Sequence, residues 1–176
     1  GYTTYDLGAN DRISRQIALS VFGNAHVDWT KVQDTANIGS ESTLRECYYS
    51  AWFNTGVRTA HEIKVSGGDE NTRSGFVAMA VTEAGRAVLC YHHVVPVGLQ
   101  NRGTYVSIEV TPSLGDFPGE LNAPDSAAEA CDIGIWPSVA THSTPAPTDS
   151  AIVHVVAVDF AACGNQNFSY SRGRET

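Results

Sequence analysis

Apolar residues in this chain recur at every second position, or run unbroken over short stretches, and almost nowhere at the three-to-four spacing of a helix. That pattern predicts an all-β fold. Thr104–Thr111 (TYVSIEVT) shows it best: Val106, Ile108 and Val110 share one strand face and Tyr105, Ser107 and Glu109 the other, so one face is expected to be buried and the other wet. Gln16–Phe22, Val27–Val32, Leu44–Asn54, His61–Val65, Phe76–Thr82, Arg86–Val95 and Ala151–Phe160 read as further strands. The last of these (AIVHVVAVDF) is nearly continuous in its apolar run and is expected to be covered on both faces.

The breaks fit the same reading. Gly23-Asn24 stops the first strand, Gly67-Gly68-Asp69 follows the fourth, and Glu83-Ala84-Gly85 separates two long strands as a glycine-containing hairpin loop. Those two strands are expected at the centre of a sheet. A length of 176 residues suits one domain. Six of the seven Pro fall in Pro112–Thr148, which reads as one long irregular loop, with a single helical turn at Ala127–Cys131. Gly164–Thr176 reads as a polar tail, in which Asn167-Phe168-Ser169 matches a glycosylation acceptor. The expected architecture is a single two-sheet antiparallel β-sandwich over residues 1–176, with about seven to ten strands.

Charge narrows the function. Eleven Lys and Arg against 19 Asp and Glu leave a net charge of −8, which excludes the clustered cations that nucleic-acid binding or a polybasic membrane anchor requires. Asp116, Glu120, Asp125, Glu129 and Asp132 concentrate acid in the Pro-rich loop, so a partner there is expected to be neutral, zwitterionic or cationic. No apolar run reaches the ~18–20 residues of a membrane-spanning helix.

Catalysis, metal and cofactor are not expected. The four Cys (Cys47, Cys90, Cys131, Cys163) lack a CxxC spacing, leaving two disulfides or four thiols. His92 and His93, adjacent on a strand, point to opposite faces and do not chelate one metal. Cys90 and His92 share a face, but no nucleophile signature surrounds them, and the acidic loop does not single out a carboxylate pair.

Aromatic residues are the more informative group. Tyr48, Tyr49, Trp52 and Phe53 lie within six residues, with 48 and 52 on one strand face and 49 and 53 on the other. One pair is expected in the core and the other at the surface. Exposed Trp and Tyr stack on sugars and settle at lipid headgroups, because each ring joins an apolar body to a polar tip. Trp136, beside Pro137 in the long loop, is the ring expected to be most exposed.

Arg15–Val21 followed by Trp29-Thr30, Gly39-Ser40, Ser74–Val77, Gly85–Leu89 and Pro96 resembles the segment order of the actinoporin-type cytolysins, and is similar to that of the smaller aegerolysins. The resemblance implies a secreted β-sandwich that binds sphingolipid headgroups without catalysis, in some members as a toxin. It implies a rigid pocket edge at Pro96 and a pocket ring at Tyr105. Gly1–Arg15 has Gly, Asp and Asn where the amphipathic pore-forming helix of actinoporins carries an apolar face, so pore formation by that route is not expected. The expected contact residues are Trp29, Trp52, Pro96, Tyr105 and Trp136, with lipid headgroups as ligand. A glycan-binding lectin is the second reading, and a coat or effector subunit docking through its long loop or self-associating is the third.

Overall fold

The computed structural model describes residues 12–32, 45–66, 73–94, 102–118, 121–122, 134–143, 151–160 and 166–174. These residues form an all-β protein of antiparallel strands. The elements are β1 (Arg12–Leu19), β2 (Ala25–Val32), β3 (Arg45–Trp52), β4 (Arg58–Lys64), β5 (Arg73–Val81), β6 (Ala87–Val94), β7 (Arg102–Ile108), β8 (Leu121–Asn122), β9 (Gly134–Ser143), β10 (Ala151–Phe160) and β11 (Gln166–Arg174). They divide into three sheets where two were expected: β1-β2-β3-β4, β5-β6-β7-β8 and β11-β10-β9.

The reason for a third sheet lies in β6. Every residue from Ala87 to Tyr91 is fully buried. The odd positions Ala87, Leu89 and Tyr91 join a core with Cys47, Tyr49, Ala51 and Ala60 of the first sheet. The even positions Val88 and Cys90 join a second core with Val106 of β7 and Val153 and Val155 of β10. A strand buried on both faces needs cover on both sides, and the alternation of strand side chains delivers it.

Two segments correct the sequence reading. The Pro-rich stretch 112–148 is not one irregular loop, since β8 and the ten-residue β9 lie within it, and Trp136 therefore sits in a strand. The tail holds β11, paired along its whole length with β10. Pro137 and the polar, Gly-containing composition of both segments concealed them, because strand propensity is overridden by pairing to a hydrophobic neighbour such as β10. β10 is covered on both faces only at its start: Ala151, Ile152, Val153 and Val155 are buried, while Val156, on the face of Ile152, is exposed. The helical turn expected at Ala127–Cys131 lies outside the described residues.

Candidate functional site at the turn end

Three hairpins share one turn design. In Ser20–Asn24, Phe53–Val57 and Thr82–Arg86 the first residue's N–H donates to the carbonyl of the fifth, and the N–H of the fourth donates back to the carbonyl of the first. The fourth residue is Gly each time, with φ of 78° at Gly23, 85° at Gly56 and 83° at Gly85. This is the three-residue loop with a left-handed glycine that suits twisted antiparallel strands.

The turns meet at one end of the molecule. Asn54 donates from Nδ2 to the Phe22 carbonyl (3.0 Å), and its backbone N–H donates to Asn24 Oδ1 (3.1 Å). Asn24 Nδ2 in turn donates to Ser113 Oγ (3.0 Å), and the Thr59 hydroxyl donates to the Ser113 carbonyl. A Cβ added at Gly85 would lie 3.0 Å from the Phe22 ring, so the first and third turns are in contact.

Glu109 holds the fourth element of this end, the 109–118 loop. Its Oε1 accepts from Gly115 N (2.7 Å) and Tyr49 Oη (3.0 Å), and its Oε2 from Ala87 N (3.0 Å) and Ser113 N (3.0 Å). Burial raises the Glu109 carboxyl from the usual range, opposed by the three backbone N–H groups and the Tyr49 hydroxyl. Because Tyr49 spends its one proton on Glu109, its oxygen accepts from His26 Nδ1 at 2.6 Å, which leaves the His26 Nε2 lone pair without a partner. Burial lowers His26 to about 4, so the ring is neutral at pH 7. Glu109 and Ser107, expected on a wet face, are thus fully buried, and Val110, expected inside, is exposed.

The loop and turns in return present apolar side chains to solvent. Val21 is 71% exposed, Val57 59%, Phe22 56%, Leu114 47% and Phe53 39%. Leu114 is pinned between Ser113 and Gly115, both tied to Glu109. Scattered exposed apolar residues are ordinary, but a group gathered on three of four interlocked loops is a patch.

Trp29, Trp52 and Tyr105, picked from sequence, do not belong to this group. Trp29 is buried and stacked on Tyr48, with ring centroids 6.0 Å apart. Trp52 is buried beneath the Arg58 guanidinium, 5.0 Å from its ring. Neither ring is open to a ligand in this structure. Tyr105 is half-buried against the first core. Pro96 and the side chain of Trp136 lie outside the described residues, as do the side chains of His92 and His93. The aromatic run does not divide into a core pair and a surface pair as expected: Tyr49 and Trp52 are buried, Tyr48 is half-buried and Phe53 is exposed. The signal for the turn end was the repeated glycine spacing of SVFG, FNTG and TEAG, with apolar residues at the tip of the first loop and flanking the second.

Cys47 and Cys90 are buried, and burial pushes Cys90 well above the usual thiol range, away from nucleophilic reactivity. Among the described residues no group of three or more His, Cys, Asp and Glu is placed to hold a metal, and no helix is long and apolar enough to cross a membrane. No family model matches the sequence, and no curated protein or solved structure shows significant similarity to it.

Proposed function

We propose that the protein is a non-catalytic, secreted binder of zwitterionic lipid surfaces such as choline phospholipids and sphingomyelin, docking through its turn end. The exposed group Val21, Phe22, Phe53, Val57 and Leu114 on interlocked loops carries the reading. Side chains of this kind are each worth ~1.5–3 kcal/mol on full burial. At about half exposure the five together offer roughly 4–8 kcal/mol, enough for reversible adsorption and too little for permanent insertion. The net charge of −8 disfavours anionic membranes, which selects the zwitterionic class. The likeness in segment order to the sphingolipid-binding cytolysins points the same way.

Co-sedimentation with phosphatidylcholine–sphingomyelin vesicles tests it. Binding should fall by roughly tenfold or more in V21D/L114D, at two positions whose side chains stand in solvent. Unchanged binding in that variant, or absence of binding to such vesicles, overturns the reading. Recognition on a glycan array without vesicle binding replaces it with the lectin reading.

A further inference from the structure

The outward face of the β9–β10–β11 sheet carries a cluster that the turn end does not use. Val153 and Val155 of β10 point into the second core, so alternation turns His154 and Val156 outward. Ala140 of β9 and Arg172 of β11 stand directly across from His154, while His142 faces Ile152 and Tyr170 faces Val156. His142 and Tyr170 are therefore diagonal neighbours of His154, one on each flanking strand, and Ala140 beside it is too small to cover the ring. His154 Nε2 lies 2.9 Å from His142 Nδ1, and His154 Nδ1 lies 2.7 Å from the Tyr170 hydroxyl. The two imidazoles are nearly parallel, with centroids 4.9 Å apart and planes 23° apart.

We propose that His154 Nε2 and His142 Nδ1 form a two-nitrogen site for a divalent transition metal of the Cu²⁺ or Ni²⁺ class, with water in the remaining positions. Neutral imidazole is the preferred side chain for these ions and not for Mg²⁺ or Ca²⁺. Two nitrogens in adjacent positions around a tetragonal or octahedral ion, each ~2.0–2.1 Å from it, stand ~2.9 Å from one another. That spacing is already present between the two rings, so the strands hold the pair at the separation such an ion requires, and the ion takes the place of the proton between them. Tyr170 fits the role of an outer partner: when its oxygen accepts the Nδ1 proton of His154, the Nε2 lone pair is left to the metal. The strands supply what a flexible pair of His would lack, because both rings project from one paired ladder and are held in fixed register.

Calorimetric titration of the full chain with Ni²⁺ and with Cu²⁺ tests the site, with Cu²⁺ spin resonance reporting the number of imidazole nitrogens. One ion bound per chain through two imidazoles is expected. His142→Ala and His154→Ala should each abolish that binding, while His61→Ala, at an exposed residue of another sheet, should leave it intact. Tyr170→Phe should weaken it about tenfold or more. Arg172→Ala should strengthen it about threefold by removing a neighbouring positive charge. His142→Asn keeps a polar side chain at the position and should fail to bind in the same way, which separates loss of ligand from loss of fold. No saturable binding by the wild type, or wild-type affinity in either His variant, overturns the proposal and leaves the pair as a hydrogen bond only.

Discussion

Glu109 and Asp28 are both carboxyl side chains with no solvent exposure, and their surroundings are opposite. Glu109 receives four hydrogen bonds, three of them from backbone N–H groups of Ala87, Ser113 and Gly115. Asp28 has no such set of donors, the Gln16 backbone alone opposing its burial, and on the same strand His26 Nε2 and Thr30 Oγ1 are unpartnered. The difference comes from where each residue sits. Asp28 lies mid-strand, paired on one side with Gln16 and on the other with Tyr49, where backbone N–H groups are committed to the ladder. Glu109 lies at the end of β7, beside a loop whose N–H groups have no ladder to join and must be satisfied by something. One acid organises a loop; the other is stored in its neutral form. Burial raises Asp28 to about 8, with the Gln16 backbone opposing, so most of it is protonated at pH 7.

The largest test of this contrast is removal of the organising acid. Glu109→Ala leaves three backbone donors and the Tyr49 hydroxyl unpaired and should cost about 3–5 kcal/mol in urea unfolding. Limited proteolysis should then cut first within residues 109–118. If the variant loses under 1 kcal/mol, on the order of one ordinary hydrogen bond, the loop is anchored by something else. Tyr49→Phe removes one donor from Glu109 and the acceptor of His26 Nδ1, and should cost about 1–3 kcal/mol.

The smallest effect is the most diagnostic for Asp28. A carboxyl whose folded pKa lies at about 8 against 3.8 unfolded binds its proton more tightly in the folded state, so stability falls as pH rises across that window. His26, lowered from 6.5 to about 4, acts in the other direction, and its contribution rises with pH only between those values. From pH 6.5 to 8 the Asp28 contribution therefore stands alone of the two. Wild-type stability should drop by up to about 2 kcal/mol more than that of Asp28→Asn over this interval, measured as unfolding midpoints at the two pH values. Parallel curves for the two proteins would place the Asp28 carboxylate in contact with water or a cation.

Much of the fold was legible. The Arg86–Val95 run announced a strand at the centre of a sheet, though not its burial on both faces, and Glu83-Ala84-Gly85 announced the hairpin before it, because φ > 0 at one position is a local demand that glycine meets. Less was visible of β9 and β11, whose polar faces carry little periodic signal and which are held by pairing with β10. The site was the least legible. Trp29 and Trp52 look like surface aromatics by residue type, yet ring exposure depends on what the rest of the chain lays over them. Glu109 reads as a wet residue by alternation, because periodicity records the face and not the donors waiting there.

The sequence by itself determined an acidic all-β chain with glycine-built turns, since strand period, turn geometry and net charge are properties of neighbours along the chain. Tertiary structure alone decided that there are three sheets, that four loops meet at one end with exposed apolar side chains on three of them, and that one buried acid is satisfied while another is kept neutral. Those outcomes depend on contacts between residues distant in sequence, such as Asn24 with Ser113 and Tyr49 with Glu109, whose partners no local pattern names.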